Sequence, residues 1–168
     1  NDHSIAWGIA QSLAADGAQI AFTYQGEAQK KRLGRLAPSI GSSLVMPGDV
    51  ESDEQLDTAF ATLEKEWGTL DFLVHSLAFA NRDFLKKCAK TYLSVVPGRY
   101  VDTSRANFAR SLDISCYSFT AVAQRAARLM PNGGSLVTLT YLGAQRVMPN
   151  YNVMGVAKAA LEASVRYL

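Results

Sequence analysis

Apolar residues recur along this chain with two spacings that alternate from one end to the other. Apolar side chains three or four residues apart, the spacing of one helix face, form runs that begin near Ser4, Ser52, Ser104 and Tyr151. The run from Ser104 is predicted to continue to Met130, and a more polar helix is predicted over residues 28–37, closed by Pro38. Short apolar runs of strand length separate the helices, at residues 18–24, 43–46, 70–75 and 135–140.

Strands that alternate with longer helices are typical of stacked βαβ units, in which helices cover both faces of a parallel sheet. Because such connections are right-handed, the sequence predicts a doubly wound parallel sheet of the α/β class, in a single domain over residues 1–168. The chain starts at Asn1 without an initiator Met and stops at Leu168 inside an apolar periodic run. We therefore expect the middle of a longer chain, with the sheet incomplete at both ends.

Composition excludes several classes of protein. The 168 residues are 48% hydrophobic with a net charge of +2, which argues against disorder and, without a long basic run, against nucleic-acid binding. No apolar stretch is long enough to span a bilayer, so we expect no membrane partner. The two cysteines, Cys88 and Cys116, form no metal-binding spacing, so we expect no metal site and two reduced thiols in a cytoplasmic protein.

In a doubly wound sheet, ligands bind where the strands end, so the residues after each strand are the candidate site. The helix start at Ser4 and Ile5 would present backbone N–H groups to a phosphate, although an ordinary Ser4 cap explains the same pattern. Gln25 follows the next strand, at the position that contacts an adenine ribose. Without an arginine directly beside it, Gln25 favours NAD(H), while the nearby cations of residues 30–32 leave NADP(H) open.

Two further strand ends have both a functional and a structural interpretation. Asp49 and Val50 could hold an adenine, or Asp49 could form an Asx turn before the Ser52 cap. Ser76 and Leu77 follow the strand that ends at His75, where small residues would let a nicotinamide approach or would simply pack. His75 itself is better explained as a structural histidine than as a ligand or base.

Tyr141, Tyr151 and Lys158 form the sharpest group of candidate catalytic residues. Lys158 follows Tyr151 by seven residues, which is two helical turns, so both side chains are predicted to share one helix face. A lysine ammonium beside a phenol would favour the ionised phenol and strengthen it as a hydrogen-bond donor to a developing oxyanion. A tyrosine and a lysine at this spacing are also common as a plain surface pair.

Sequence blocks around these residues identify a family resemblance. The chain resembles the bacterial enoyl-acyl-carrier-protein reductases, the NADH-using branch of the short-chain dehydrogenase/reductase superfamily, in blocks that begin at Asn1, Phe22, Leu70, Arg99, Met130 and Pro149. The resemblance spans nearly the whole chain. Most of the superfamily has three residues between the catalytic Tyr and Lys, whereas these reductases have six, as between Tyr151 and Lys158. A lysine at the shorter spacing would stand at position 155, which is Gly155.

The resemblance implies a Rossmann-like fold and NADH-dependent reduction of trans-2-enoyl thioesters on acyl carrier protein in fatty-acid elongation. It implies that Tyr151 stabilises the enolate, that Lys158 holds the nicotinamide ribose and that Tyr141 is a second active-site tyrosine. It also implies a substrate contact at Ala80. The cofactor contacts that it implies are at Ser4, Ile5, Gln25, Asp49, Val50, Ser76, Leu77 and Lys158. A cytoplasmic homotetramer is implied by the resemblance alone. Two alternatives stay open: a short-chain reductase acting on a 3-oxoacyl substrate, and a non-catalytic nucleotide-binding fragment.

The chain departs from the family pattern in three places. We expect the first strand with its glycines, and the substrate-binding loop that the family has after Leu168, to lie outside residues 1–168. Lys86 to Pro97 has no counterpart and lies between Ala80 and the next helix. Its lysines, Lys86, Lys87 and Lys90, could contact an acidic carrier protein, or the segment could be a neutral insertion in a tolerant loop.

Overall fold

The computed structural model describes residues 2–80 and 99–168, so the Lys86–Pro97 segment lies outside the described residues. The α-helices are α1 (Ile5–Ala15), α2 (Glu27–Leu36), α3 (Asp53–Trp67), α4 (Arg105–Leu112), α5 (Ser118–Arg128) and α6 (Val153–Tyr167). The strands are β1 (Ala21–Tyr24), β2 (Leu44–Pro47), β3 (Phe72–His75) and β4 (Ser135–Thr138). Short 3₁₀ turns are at Ala37–Ile40, Tyr100–Asp102 and Leu142–Ala144, and a π-helical turn, Asp113–Tyr117, joins α4 to α5.

Three serines begin helices where the sequence predicted them. Ser4, Ser52 and Ser104 each accept a hydrogen bond from the backbone N–H three residues later, at 3.2, 3.3 and 3.2 Å. Such a cap satisfies a backbone donor that the first helical turn leaves without a partner. At the other end of α3, Gly68 has φ +75°, a left-handed conformation that only glycine adopts without strain.

The chain divides into two compact units, each described here by itself. Among the described residues, the first unit comprises 2–76 and 125–136, and the second comprises 77–80, 99–124 and 137–168. In the first unit, β1 and β2 pair in parallel with Ala21 opposite Leu44 and Tyr24 opposite Pro47. The first unit's core is formed by Met46, Ala59, Leu63, Leu70 and Leu129.

A buried arginine joins two elements of the first unit. Arg125 Nε donates to Asp57 Oδ1 at 2.7 Å, and its Nη2 donates to Asp53 Oδ1 at 3.0 Å, so the C-terminal part of α5 is tied to α3. Both carboxylates lie near the start of α3, where negative charge is also favoured by the helix dipole.

Strands β3 and β4 form the second two-stranded sheet.

In the second unit, the long helix predicted from Ser104 is present, but it is not a continuous α-helix. The π turn at residues 113–117 interrupts it, and Ser111, Ser115 and Ser118 are fully buried around this turn with Phe119. On α6, Leu161 and Ala157 are fully buried as well. The elements that carry Tyr141, Tyr151 and Lys158 thus belong to a well-packed unit.

Element boundaries differ from the predictions most clearly at α6. The helix begins at Val153 rather than at about Tyr151, because Asn150 and Asn152 have φ +64° and +44°. A right-handed helix cannot extend backwards through a residue in that conformation. The prediction that Tyr151 and Lys158 share a helix face is therefore wrong: Lys158 lies on α6 and Tyr151 lies in the turn before it.

The remaining boundary differences are smaller. The strands are each four residues long, shorter than most of the predicted apolar runs. Pro38 does not simply end a helix, since it lies within the 3₁₀ turn Ala37–Ile40 that continues from α2. Proline is compatible with the first turn of a helix, where its missing N–H leaves no hydrogen bond unmade.

Candidate active site

Two tyrosines lie against each other in the second unit. The ring centroids of Tyr141 and Tyr151 are 4.7 Å apart at an interplanar angle of 59°, a favourable tilted arrangement. Tyr141 is 45% exposed and Tyr151 is half-buried. Burial, with a smaller electrostatic contribution from Tyr141, raises the pKa of Tyr151. The phenol is therefore protonated at neutral pH and can donate a hydrogen bond.

Lys158 is a buried cation in the second unit. Its side chain lies on α6 and is only 4% exposed, and its Nζ donates to the Leu139 carbonyl oxygen at 2.7 Å. Burial lowers the pKa of Lys158, and Cys116 opposes this shift. Lys158 does not contribute to the shift at Tyr151, whose pKa is raised. The expectation that the ammonium favours an ionised phenol is thus wrong.

The Lys158 bond is one of two that tie the end of β4 to α6. One turn further along α6, Glu162 Oε1 accepts a hydrogen bond from Thr140 Oγ1 at 2.7 Å. Together the two bonds fix residues 139–140, directly before Tyr141. Sequence reasoning missed Thr140 and Glu162, although a polar residue one turn after Lys158 on the same helix was a signal for this contact.

A third missed residue, Ser115, supports the segment that contains Leu77 and Ala80. Ser115 is fully buried in the π turn, its Oγ accepts a hydrogen bond from the Phe79 N–H at 2.9 Å and it lies 3.8 Å from Met154 Sδ. Single π turns inside helices occur frequently at functional sites. Leu77 is half-buried and Ala80 is exposed. The available signal was the row of serines at 111, 115 and 118 among apolar positions.

The first unit brings together two of the predicted cofactor residues. Gln25 Nε2 donates to Asp49 Oδ2 at 3.2 Å, a contact that the sequence did not predict. Asp49 Oδ1 also accepts from the Glu51 N–H at 3.1 Å, so the Asx turn considered as an alternative is present. Gln25 is exposed, whereas Asp49 and Val50 are half-buried. These polar groups lie where the carboxyl ends of β1 and β2 meet.

The other sites predicted in the first unit lie at a helix start and a strand end. Ser4 is half-buried and Ile5 is 67% exposed at the start of α1, whose first turn contains no acidic residue. A helix N-terminus without a carboxylate is compatible with an anion. Ser76 is half-buried, and His75, at the end of β3, is 3% exposed.

The described parts of the chain contain neither a metal-binding cluster nor a membrane-spanning helix. Over residues 2–80 and 99–168, no group of three or more His, Cys, Asp or Glu side chains is arranged to hold a metal ion. Among the helices in those same ranges, none combines the length and the apolar character needed to cross a membrane.

The fold and the tyrosine–lysine group define a class of protein: a Rossmann-like α/β fold with a phenol and a buried ammonium beyond a strand end. Solved structures share this fold. The enoyl-(acyl-carrier-protein) reductase of Anaplasma phagocytophilum, crystallised with NAD, matches with a TM-score of 0.89 at 53% identity, over 99% of this chain and 60% of that one. The Bacillus cereus enoyl-acyl carrier protein reductase, with NADP⁺ and an indole naphthyridinone, gives 0.90 at 50% identity, over 99% of this chain and 62% of that one.

Sequence comparison identifies the family. The family model described as enoyl-(acyl carrier protein) reductase matches residues 1–168. A Rhizobium meliloti (strain 1021) protein named enoyl-[acyl-carrier-protein] reductase [NADH] 2 is 55% identical over 168 residues, which is 100% of this chain and 59% of that protein. The chain therefore belongs to the enoyl-acyl-carrier-protein reductase family, and it spans about three-fifths of the length of the relatives it matches.

Proposed function

We propose that the protein reduces the trans-2 double bond of enoyl-acyl-carrier-protein thioesters with NADH, in fatty-acid elongation. The observation that carries this proposal is a protonated, half-buried Tyr151 together with a buried Lys158, at the six-residue spacing of the family. Reduction of a conjugated thioester places negative charge on the carbonyl oxygen. A neutral phenol in a partly desolvated position is suited to stabilise that charge by hydrogen bonding.

Each of the three residues has a distinct proposed role. Tyr151 donates its phenol hydrogen bond to the thioester oxygen as charge develops there. Tyr141 packs against the Tyr151 ring and limits its rotation, and its exposed edge faces solvent from which substrate arrives. Lys158 donates one N–H to the Leu139 carbonyl oxygen, and an ammonium has two further donors for the nicotinamide ribose hydroxyls.

The residues of each unit also fit NADH. In the first unit, the acid-free start of α1 suits a pyrophosphate, Gln25 suits the hydroxyls of an adenine ribose, and Asp49 and Val50 suit the adenine. In the second unit, Leu77 and Lys158 are proposed to contact the nicotinamide half of NADH, as is Ser76, the residue before Leu77. Ala80 is proposed to contact the substrate. When bound, NADH supplies the hydride that is delivered to the β-carbon of the enoyl group.

Gln25 supports NADH over NADPH because an amide donates to a ribose 2′-hydroxyl but carries no charge to balance a 2′-phosphate. The Rhizobium meliloti relative is named for NADH, whereas the Bacillus cereus structure contains NADP⁺. Both cofactors should therefore be compared at equal concentration, and we expect the higher kcat/KM with NADH.

We further propose a cytoplasmic homotetramer in which the chain belongs to one dinucleotide-binding and catalytic domain. Assembly is supported by apolar side chains that remain exposed in the second unit, on α6 and in the π turn: Tyr117, Val156, Val165 and Tyr167. Contiguous apolar patches on a protein surface often mark contacts with another chain. Analytical ultracentrifugation of the native protein should give a tetramer, and a monomer would refute this part of the proposal.

The test of the activity is NADH oxidation by the native protein with a trans-2-enoyl thioester and, separately, with a 3-oxoacyl thioester. We expect turnover of the enoyl substrate alone, lost in Tyr151→Phe and Lys158→Ala. Turnover of the 3-oxo substrate would instead indicate a ketone reductase. Absence of turnover with either substrate, together with measurable NADH binding, would indicate a protein that only binds nucleotide.

A further inference from the structure

Two glycines beside Tyr151 are not explained by backbone conformation. Gly143 lies in the 3₁₀ turn Leu142–Ala144, and Gly155 lies in the first turn of α6. The four glycines with left-handed φ in the described residues are Gly17, Gly41, Gly68 and Gly133, so neither of these two needs glycine for its φ angle. A glycine inside a helix costs about 0.5–1 kcal/mol relative to alanine, so Gly155 requires another reason.

That reason is space. A Cβ built on Gly143 would lie 2.4 Å from Tyr151 Cδ1 and 2.8 Å from Tyr151 Cε1. A Cβ built on Gly155 would lie 2.8 Å from the Gly143 carbonyl oxygen. Both separations are well below carbon–carbon and carbon–oxygen contact distances. Gly143 is therefore in close contact with the Tyr151 ring on one side and with the backbone of α6 at Gly155 on the other.

We infer that Gly143 and Gly155 are positioning residues for Tyr151, whose phenol they hold by allowing the Leu142–Ala144 turn to approach both the ring and the first turn of α6. Tyr151 precedes α6 and follows Asn150, which has a left-handed φ, so its backbone is not part of the helix. The ring lies against Tyr141 and the surface of Gly143, and a Cβ built on Gly155 would lie 3.7 Å from Tyr151 Cδ1. This inference rests on the proposed role of Tyr151 and adds two residues to it.

The same contacts give Gly155 a role in the choice between two catalytic layouts. Position 155 is where a lysine would stand at the shorter Tyr–Lys spacing of most of the superfamily. Any side chain at Gly155 would meet the Gly143 carbonyl oxygen, so the observed position of the Leu142–Ala144 turn excludes a lysine there. The position of the turn is therefore compatible with the lysine at 158 and not with one at 155.

The experiment compares Gly143→Ala, Gly155→Ala and Gly34→Ala in the native protein. Gly34 lies inside α2 with no atom within 4 Å of a built Cβ, so its variant controls for the loss of glycine itself. We expect kcat for enoyl reduction to fall about tenfold or more in the first two variants and to stay within about twofold in the third. The Kd for NADH, measured by fluorescence without substrate, should change less than about threefold in all three.

A double-variant comparison separates positioning from general damage. In a Tyr151→Phe background, Gly143→Ala should lower the residual kcat by less than about twofold, because the group it positions has been removed. A loss as large as in the wild-type background would overturn the inference, and so would unchanged kcat in both single glycine variants. Thermal melting monitors folding, and unfolding of both glycine variants would also count against a local effect on Tyr151.

A readout independent of turnover separates this inference from the proposed function. Ultraviolet titration of the phenol, taken as the difference between each glycine variant and the same variant with Tyr151→Phe, reports the environment of Tyr151 alone. We expect its pKa to fall toward the usual value of tyrosine when the ring is displaced into water. If the wild-type protein fails to reduce enoyl thioesters but this shift occurs, the proposed function fails and the positioning of Tyr151 stands.

Discussion

The two units hold their candidate site residues in contrasting ways. In the first unit, Gln25 and Asp49 meet through a 3.2 Å hydrogen bond at the exposed ends of two strands. In the second unit, Lys158 is 4% exposed and bonded at 2.7 Å to a backbone carbonyl, and Tyr151 is packed against Tyr141 and Gly143. An exposed hydrogen bond competes with water, whereas a buried polar group cannot exchange its partner without cost.

This difference indicates which part of the site can change without disturbing the fold. Cofactor preference depends on exposed side chains that only weakly constrain their neighbours. The proposed chemistry depends on side chains whose positions are fixed by several contacts within one packed unit. Substitutions in the first unit should therefore change affinity, and substitutions in the second should change turnover or stability.

The largest effect is expected for Tyr151→Phe, which removes the proposed donor to the thioester oxygen and keeps the ring that contacts Tyr141. Loss of one oxyanion donor lowers kcat by about 10²–10³-fold. Steady-state kinetics with an enoyl thioester will measure this, and the melting temperature should stay near that of the wild type. A matched Tyr141→Phe variant should lose much less activity, and an equal loss in both would contradict the separate roles.

Removal of the Ser115 hydroxyl should have the next largest effect, on stability. In Ser115→Ala, the partly buried Phe79 N–H loses its bond, which we expect to lower the free energy of unfolding by about 1–2 kcal/mol. Ser39→Ala is the control, because its hydroxyl bonds the Leu36 carbonyl in an exposed position. Urea denaturation should show the difference, and equal stability of the two variants would refute the role of Ser115.

A smaller effect, on affinity alone, is expected for Gln25→Ala. Loss of a hydrogen bond worth about 0.5–1.5 kcal/mol should raise KM for NADH roughly two- to tenfold, with kcat unchanged. Kinetics at saturating enoyl substrate will separate the two constants. A fall in kcat similar to that of Tyr151→Phe would contradict the expectation that substitutions in the first unit change affinity and not turnover. Gln25→Arg should shift the cofactor preference toward NADPH.

The most modest prediction concerns pH and stability. Burial lowers the pKa of Lys158 in the folded state, so between that pKa and the usual lysine value the unfolded chain binds more protons. The contribution of Lys158 to stability is therefore least favourable at neutral pH and improves as pH rises toward about 10.4. Stability measured from pH 7 upward should show this improvement in the wild type but not in Lys158→Met. The opposite slope would mean that the ammonium is stabilised by its surroundings.

Local signals made much of the fold predictable from the sequence. The caps at Ser4, Ser52 and Ser104 accept hydrogen bonds from backbone N–H groups three residues later. Both partners of each bond therefore lie within one short stretch of sequence. The alternation of strands and helices, which is also a local feature of the sequence, indicated the α/β class. The spacing from Tyr151 to Lys158 identified the family, although the two side chains do not share a helix face.

Contacts between residues distant along the chain were not predictable. The bonds from Gln25 to Asp49 and from Phe79 to Ser115 join residues 24 and 36 positions apart. No single-sequence pattern specifies such pairs, since they depend on how the elements pack. The late start of α6 was missed because Asn150 and Asn152 accept left-handed backbone conformations that helical periodicity does not register.

The π turn between α4 and α5 sets the phase of the whole helical segment. A π turn accommodates one residue more than an α turn, and one residue corresponds to about 100° of rotation around the helix axis. The apolar stripes before and after residues 113–117 are therefore offset, and a deletion of one residue there would bring them back into register. Such a deletion would regularise the helix while turning Ser115 away from the Phe79 backbone, so this segment should tolerate substitutions far better than changes in length.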